Sequence, residues 1–330
     1  SRGLVDVYKR QFHDEKSPSF SVSPDKQFFH CFGCQESGTA LTFLMKYERV
    51  EFVEAVEMLA KDLGLTVPRE KSNRNYVEVD QSIYQALEGA ERFYRQQLRG
   101  AEVAVAYLKG RALTGVTARD FGIGYAPEGW HSVSEALDAD GISSEALLQA
   151  GLTIKNDSGR IYDRFRHRIV FPIRDVRGRV IGFGGRKLGD EDGPKYLNSP
   201  ETAVFAKGQE LYGLYEARKA LRTIERELVV EGYMDVVALA QGGFRNAVAT
   251  LGTATGEAHY RKLYRYTDEV ICCFDGDKAG QRACLKACEL LFPMTILSIH
   301  LQEFTYLKHN SLISLQFIIF VIFFNHSITF

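Results

Sequence analysis

Residues 229–235 read VVEGYMD, and residues 274–280 read FDGDKAG. In both stretches carboxylates follow directly after a short apolar run of the kind found in buried strands. From residue 227 onward strand and helix patterns alternate, which predicts a parallel α/β sheet. Ligands bind outside the carboxyl ends of the strands in such a sheet, so Glu231, Asp275 and Asp277 are expected to converge there.

The alternation predicts three strands and three helices in this part of the chain. They are strand 228–230, helix 236–240, strand 247–249, helix 256–266, strand 270–274 and helix 279–291.

Upstream of this region the apolar spacing is mostly helical. One helix is predicted by Phe52, Val56, Leu59 and Leu63, and a second by Ile83, Leu87, Ala90 and Tyr94. The helical pattern continues to residue 150, with breaks at glycines and at the turn 126–127. Beyond it, runs 169–173 and 180–183 predict a β-hairpin around residues 175–178.

The clustered carboxylates point to a metal. Carboxylates repel one another, and a divalent cation relieves that repulsion while it bridges to phosphates. Glu231, Asp235, Asp275 and Asp277 are therefore candidate ligands of Mg²⁺ or Mn²⁺, and Glu231, Asp275 and Asp277 are candidate catalytic residues. The alternative is that acids at strand ends cap helices, which applies to Asp235 and Asp277 because each precedes a helix.

A second candidate metal site lies near the N-terminus. Seventeen residues separate His13 from a Cys-x-x-Cys turn formed by Cys31 and Cys34. Such a turn holds two thiolates at the geometry of a zinc knuckle, and a structural zinc ion takes four ligands. His30 is an alternative ligand or else an aromatic residue at a strand end. A redox pair or chance spacing is the alternative to zinc.

Basic residues are concentrated between residues 160 and 187. This segment holds nine Lys or Arg against two Asp, although the whole chain has a net charge of −1. Any contact with nucleic acid must therefore rest on local clusters, where Arg donates to phosphate through two N–H groups. A solvated charged hairpin is the alternative.

Residues 12–20 (FHDEKSPSF) and 27–34 (QFFHCFGC) closely resemble the zinc-binding domain of bacterial DNA primases. That family opens the motif with Cys-Pro-Phe-His, but this chain has Arg10 where the first cysteine stands. The resemblance implies one Zn²⁺ held by His13, Cys31 and Cys34 in an incomplete site. It also implies contact with single-stranded DNA through Lys26, Phe28 and their neighbours.

The acidic stretches resemble the Toprim domain that primases, topoisomerases and some nucleases share, and residues 231–238 (EGYMDVVA) look specifically primase-like. Segments 164–168, 183–186, 195–202, 205–208 and 211–214 look like the primase catalytic core. The resemblance implies that the groove for template or nucleotide is lined by Arg186, Lys195, Tyr196, Asn198, Lys207 and, with a weaker match, Arg111. The further Asp-Gly-x-Asp-Pro-Asp run of primases does not occur in this sequence.

These resemblances imply a multi-domain α/β protein. The expected segments are a foreign stretch 1–11, a zinc-ribbon β domain 12–66, a linker 67–80, a mixed α+β core subdomain 81–225, a truncated Toprim α/β domain 226–294 and a non-matching tail 295–330. The tail is rich in Ile, Phe and Leu without a sustained period, so we expect foreign sequence there, with a packed hydrophobic helix as the alternative.

The implied activity is DNA-templated synthesis of RNA primers from ribonucleoside triphosphates on single-stranded DNA. The family also docks on the replicative helicase through a module that is expected to be missing here. Two alternatives stay open: another Toprim enzyme (topoisomerase or nuclease), and a degenerate fragment that only binds single-stranded DNA.

Cysteine usage and hydropathy favour a cytoplasmic protein, and the resemblance to primases implies that it acts in the nucleoid at the replication fork. The six cysteines form three close pairs, Cys31/Cys34, Cys272/Cys273 and Cys284/Cys288, unlike a secreted disulfide framework. The longest apolar run, residues 313–324, is too short to cross a bilayer comfortably. We therefore expect no membrane partner.

Overall fold

The structure is a computed structural model. It describes residues 19–33, 35–47, 52–65, 67, 81–189, 193–252, 256–275, 278, 280, 282–283, 286–287, 295–308 and 311–324. The chain divides into two compact units, Ser1–Tyr76 and Val77–Phe330. Several predicted features lie outside the described residues, namely Arg10, His13, Cys34, linker positions 68–80, Asp277 and most of helix 279–291.

The first unit contains a small antiparallel sheet followed by two helices. Its strands β1 (Phe20–Ser23), β2 (Phe28–Cys31) and β3 (Ser37–Thr39) pair in chain order. The helices are α1 (Ala40–Tyr47) and α2 (Phe52–Asp62), and α2 confirms the helix predicted from the spacing of apolar residues.

Aromatic rings form the core of the first unit. Phe20 stacks on Phe29 with ring centroids 5.4 Å apart, and Phe43 of α1 meets Phe29 edge-on at 5.6 Å. Such contacts add to the free energy gained by burying the rings, which helps so small a unit to fold.

The second unit is built from helices, an antiparallel sheet, a two-stranded ribbon and a larger mixed sheet. Its described helices are α3 (Gln81–Gly100), α4 (Glu102–Gly110), α5 (Gly115–Asp120), α6 (Ser132–Ala139), α7 (Ser144–Gln149), α8 (Leu214–Ala220), α9 (Tyr233–Gln241) and α10 (Glu257–Tyr264). Its strands are β4 (Gly124–Ala126), β5 (Thr153–Lys155), β6 (Ile161–Asp163), β7 (Arg168–Arg174), β8 (Val180–Lys187), β9 (Tyr196–Asn198), β10 (Leu211–Tyr212), β11 (Glu227–Val230), β12 (Ala247–Thr250), β13 (Glu269–Asp275), β14 (Thr295–Lys308) and β15 (Ser311–Phe324).

The antiparallel sheet has the order β4-β7-β8-β9. Strands β7 and β8 form the predicted hairpin, in which Phe171 lies opposite Gly184. Helix α3 packs on this sheet through the buried face that the sequence predicts, and Tyr94 of α3 meets Phe183 of β8 edge-on at 5.5 Å.

Strand β4 is the exception in the segment predicted to be helical. It is three residues long, fully buried, and pairs with β7. A Cβ atom added at Gly124 would lie 2.6 Å from the Cβ of Tyr94, so the glycine allows β4 to pass close under α3. The run is too short to show a strand period in the sequence, and only its tertiary partners reveal it.

The mixed sheet has the order β10-β12-β11-β13-β15-β14. Its centre, β12-β11-β13, is parallel as predicted, with α9 between β11 and β12 and α10 between β12 and β13 along the chain. The outer strands differ from the prediction of a parallel sheet, because β10 runs antiparallel to β12 and β15 runs antiparallel to β13. The sheet is therefore mixed.

The C-terminal segment forms a hairpin of β14 and β15 and not the hydrophobic helix considered as an alternative. Ile and Phe are frequent in it, and β-branched and aromatic residues favour strands. Within the described part of the chain, no helix combines the length and the apolar character that crossing a membrane requires.

Candidate functional site at the carboxyl edge of the mixed sheet

Two of the predicted acids lie at one edge of the mixed sheet. Strands β11 and β13 are parallel neighbours, with Val229 opposite Cys272, so their carboxyl ends meet at the same edge. Glu231 follows β11 directly and is exposed, and Asp275 is the last residue of β13. Neighbouring strands lie about 4.8 Å apart. The backbone of Glu231 and Asp275 is therefore close together, while Asp277 lies outside the described residues.

Asp235 is engaged in a helix cap. It is in the first turn of α9, and its Oδ2 accepts a hydrogen bond of 3.1 Å from the backbone N–H of Gly232. The capping alternative raised by the sequence is thus observed. A carboxylate has several lone pairs, so this bond leaves acceptor capacity for a cation or its bound water.

A pre-oriented cation belongs to the same unit. The guanidinium carbon of Arg186 lies 5.2 Å from the ring centroids of both Tyr107 and Tyr196, and its Nη1 donates to the Tyr196 hydroxyl at 3.0 Å. The Arg186 residue is 9% exposed, and its Nε has no hydrogen-bond partner among the described residues. Arg111 lies on Tyr107 at 5.6 Å. Two arginines are thus arranged around one tyrosine ring.

Electrostatics connect this cation to the acidic edge. Burial raises the pKa of Tyr196, Arg186 lowers it, and Tyr107 and the carboxylate of Asp235 raise it. Asp235 is therefore within electrostatic range of the tyrosine that holds Arg186. Carboxylates and a cation beside one another are what a site for a hydrated metal ion and a phosphate needs.

Asn198 joins the two sheets. Its Oδ1 accepts from the Tyr233 hydroxyl at 2.7 Å, and its Nδ2 donates to the Leu251 carbonyl at 2.8 Å. Its own carbonyl accepts from Nε and Nη2 of Arg164 at 3.0 and 2.8 Å. The Asn198 side chain is thus occupied by protein contacts. Lys195, just before β9, is exposed, and its carbonyl accepts from the last residue of β8.

Lys207 is in a loop that is tied to α10. Its backbone N–H donates to Oε1 of Glu201 at 3.1 Å, and its carbonyl lies 3.1 Å from Nε2 of His259. Because Nδ1 of His259 accepts from the N–H of Gly256, Nε2 carries the proton and donates to Lys207. Burial lowers the pKa of His259, which favours this neutral form.

The sequence analysis missed an exposed aromatic platform. The guanidinium carbon of Arg166 lies 4.1 Å from the Trp130 ring centroid and 5.0 Å from that of Tyr162, and the two rings meet edge-on at 5.3 Å. Arg166 also donates to the Asp163 carbonyl, and Trp130 is 58% exposed. The signal in the sequence is the single tryptophan of the chain, but its proximity to Arg166 is not visible there.

Of the predicted zinc ligands, the described residues include Cys31 alone. Its thiol is buried, with Sγ 3.3 Å from the hydroxyl of Ser19. His30 meets Phe32 edge-on at 4.5 Å, in keeping with the alternative of a strand-end aromatic. The described residues contain no group of three His, Cys, Asp or Glu that could hold a metal ion. Phe28, in contrast, is 42% exposed on β2.

The exposed carboxylates of Glu231 and Asp235 fit a divalent ion with several waters, because such an ion takes few protein oxygens. A mixed α/β sheet with acids at its carboxyl edge is the arrangement expected of a protein of the Toprim class. Family models agree: the one described as a Toprim domain matches residues 227–299, the DNA primase catalytic core, N-terminal domain, matches 93–218, and the CHC2 zinc finger matches 9–75.

The chain belongs to the bacterial DNA primase family. A DNA primase of Pseudomonas putida is 56% identical over 285 residues, which cover 84% of this chain and 43% of that protein. The chain therefore spans less than half the length of this relative. The resemblance seen in the sequence is confirmed.

Solved structures agree with this assignment. The crystal structure of a DNA primase domain from Pseudomonas aeruginosa is 57% identical, with a TM-score of 0.62 over 64% of this chain and 67% of that one. A DnaG primase catalytic domain bound to single-stranded DNA is 53% identical, with a TM-score of 0.59 over 64% of this chain and 69% of that one. The multi-domain α/β fold class is confirmed.

Proposed function

We propose that this chain carries the primer-synthesising part of a bacterial DNA primase. It joins ribonucleotides on a single-stranded DNA template by metal-dependent nucleotidyl transfer. The observation that carries the proposal is Arg186, held between Tyr107 and Tyr196, because Tyr196 is within electrostatic range of Asp235 in the first turn of α9. This arrangement presents a fixed positive charge where a nucleotide's phosphates would meet the acidic edge.

The reaction forms a bond between the primer's 3′ oxygen and the α-phosphorus and breaks the bond from that phosphorus to pyrophosphate. The hydroxyl proton passes to solvent. Glu231, Asp275 and Asp277 would hold a divalent cation, which would supply Lewis acidity and neutralise phosphate charge. Asp235, in the first turn of α9, would be a further ligand.

The chain's own cations orient the nucleotide. Two aromatic rings and the Tyr196 hydroxyl hold the Arg186 side chain in place. Binding a phosphate therefore costs little side-chain entropy of Arg186. Lys195 and Lys207 extend the positive surface from two loops, and Arg111 extends it across Tyr107. In this proposal Asn198 stabilises the groove through its hydrogen bonds to Tyr233, Leu251 and Arg164. The phosphates are bound by the cations.

The template contact is proposed on the platform of Trp130, Tyr162 and Arg166. An exposed indole beside a fixed guanidinium suits the stacking of unpaired bases, which needs no particular sequence. A related DnaG primase catalytic domain has been solved with bound single-stranded DNA, which supports a single-stranded template as a ligand of this chain. Basic residues of segment 160–187 supply charges for the phosphates.

The remaining assignments belong to the same proposal. Residues 12–66 form a zinc-ribbon domain that contacts template through Lys26 and Phe28, with His13, Cys31 and Cys34 as zinc ligands. Residues 81–225 are the core subdomain and 226–294 the Toprim domain. The site of action is the cytoplasmic replication fork, with the replicative helicase as partner of the whole protein.

The test is primer synthesis by the full chain. Purified protein is incubated with a single-stranded template, labelled ribonucleoside triphosphates and Mg²⁺, and short RNA products are expected that disappear with chelator. Binding of the template without incorporation would favour the single-stranded-DNA-binding alternative. Relaxation of supercoiled plasmid, or its cleavage, would favour another Toprim enzyme.

A further inference from the structure

One hydrogen bond connects the acidic stretch to the basic sheet. The Tyr233 hydroxyl donates to Oδ1 of Asn198 at 2.7 Å. Nδ2 of Asn198 donates to the carbonyl of Leu251, which can only accept, and this fixes the orientation of the amide. The Tyr233 hydroxyl must therefore be the donor.

Packing fixes the position of the Tyr233 ring and therefore the geometry of its hydrogen bond to Asn198. It stacks on Phe171 with centroids 5.2 Å apart and planes inclined by 15°, and it meets Tyr212 edge-on at 4.7 Å. A Cβ atom added at Gly184 would lie 2.2 Å from its Cζ. The bare backbone of β8 thus forms one wall of the slot that holds the ring.

On each side of this hydrogen bond, only two residues of chain lead to a residue of the site. Tyr233 follows Glu231 by two residues, and Asn198 follows Tyr196 by two residues. Tyr196 in turn holds Arg186 by a hydrogen bond of 3.0 Å. A shift of Tyr233 therefore moves the turn that carries the acid relative to the strand that holds the cation.

We propose that Tyr233 is a positioning residue for nucleotidyl transfer, whose hydroxyl bond to Asn198 sets the acidic edge at a fixed distance from Arg186. This inference rests on the proposed function and deepens it. The energetic reason is that a metal site loses affinity when one ligand is displaced, and a phosphoryl transfer slows when metal and cation are no longer aligned.

The test compares two tyrosines that differ in one contact. Tyr233→Phe removes a hydroxyl that donates to Asn198, whereas Tyr212→Phe removes a buried hydroxyl that has no hydrogen-bond partner among the described residues. Both variants keep the aromatic ring. We expect kcat for primer synthesis to fall at least tenfold in Tyr233→Phe, with an unchanged KM for nucleotides and a higher Mg²⁺ requirement. Tyr212→Phe should stay within twofold of the parent.

A double variant examines whether Asn198 is the partner. Asn198→Ser shortens the side chain and removes the acceptor for Tyr233. If the two side chains act as a unit, Tyr233→Phe combined with Asn198→Ser should be no slower than the worse single variant. The proposal would be overturned if the losses of kcat in the two single variants multiply in the double variant. It would also be overturned if Tyr233→Phe and Tyr212→Phe have equal kcat and equal Mg²⁺ dependence and differ only in melting temperature.

A binding measurement separates this inference from the proposed activity. Mn²⁺ affinity of the full chain is measured by electron paramagnetic resonance. Tyr233→Phe should weaken Mn²⁺ binding at least threefold, and Tyr212→Phe should leave it unchanged. A parent chain that binds Mn²⁺ but makes no primer contradicts the proposed function, and equal Mn²⁺ affinity in all three proteins contradicts the role of Tyr233.

Discussion

The central carbon of the Arg166 guanidinium lies over the Trp130 ring, 4.1 Å from the ring centroid. Tyr162 lies 5.0 Å from the same carbon, so the arginine is held between two aromatic side chains. More than half of the indole is still exposed. This combination of fixed charge and free ring surface leads to the first prediction.

Trp130→Ala should weaken binding of single-stranded DNA, because a base then has no indole to stack on. Loss of one stacked base costs about 1–3 kcal/mol. Fluorescence anisotropy with a labelled oligonucleotide measures the change. In the parent chain the same interaction should quench intrinsic fluorescence, since Trp130 is the single tryptophan.

Phe244→Ala is the matched control for Trp130. Phe244 is 56% exposed but follows α9, away from the basic hairpin along the chain. Its removal should leave affinity unchanged at every salt concentration. Equal losses in the two variants would mean that exposed aromatic surface contributes without regard to position, and the platform would have no special role.

Asp275→Ala should abolish primer synthesis while template affinity stays within about twofold, because the carboxylate acts on the metal and not on the strand. Asp268→Ala is the control, since Asp268 is exposed at the opposite end of β13. Gel analysis of labelled primers and anisotropy give the two readouts. Synthesis by the Asp275 variant at the parent rate would remove Asp275 from the set of metal ligands.

Glu227→Leu should stabilise the fold. Glu227 is fully buried in β11, and neither carboxylate oxygen has a hydrogen-bond partner in the described part of the chain. Replacing an unsatisfied buried group by an apolar one of similar size recovers its desolvation cost, about 1–3 kcal/mol. Urea unfolding at pH 5 measures this gain, with the exposed Glu225→Gln as a control that should not change the midpoint.

The gain from Glu227→Leu should also depend on pH. Burial raises the pKa of Glu227 well above its ordinary value, so the folded chain keeps a proton that the unfolded chain loses. The parent therefore loses stability as pH rises above the ordinary carboxyl pKa, by about 1.4 kcal/mol per pH unit for one proton. The advantage of the leucine variant should thus be larger at pH 8 than at pH 5.

A second buried carboxyl group, Glu216, does not affect the difference in stability between the parent and Glu227→Leu. Burial raises the pKa of Glu216 to about 7, which gives a loss of stability of the same sign up to that pH. Because Glu216 is present in the parent and in the Glu227 variant, its effect cancels in their difference. An advantage as large at pH 5 as at pH 8 would show that Glu227 is ionised in the folded chain.

Arg10→Cys should raise zinc affinity by a large factor. With His13, Cys31 and Cys34 the variant offers four ligands of the kinds that structural zinc sites use, whereas the parent offers three. Competition with a chromogenic chelator measures the affinity, and Arg2→Cys serves as a control cysteine. Equal zinc retention by the parent and by Arg10→Cys would mean that another residue, such as His30, completes the site.

The sequence predicted the elements whose signal is local. Carboxylates placed directly after apolar runs located Glu231 and Asp275 at the ends of β11 and β13, because a strand of four to seven residues shows itself in its own composition. The β7–β8 hairpin was equally visible. Both readings depend on neighbouring residues alone, which is why they agree with the structure.

The sequence could not show features that depend on distant partners. Strand β4 is three residues long and exists because β7 and α3 cover it. The bond from Tyr233 to Asn198 and the stacking of Arg166 on Trp130 join segments far apart in the chain. The antiparallel edges of the mixed sheet likewise follow from which strands are brought alongside, and hydrophobic pattern does not encode that choice.

Gly184 has a consequence for mutational tolerance. Every amino acid other than glycine carries a Cβ atom, and at this position that atom would meet the Tyr233 ring, which Phe171 and Tyr212 prevent from moving aside. Position 184 therefore has no neutral replacement, although its residue has no side chain and no charge. In a saturation library of this chain, one methyl group on a buried strand should be as damaging as the loss of a charged residue at the site.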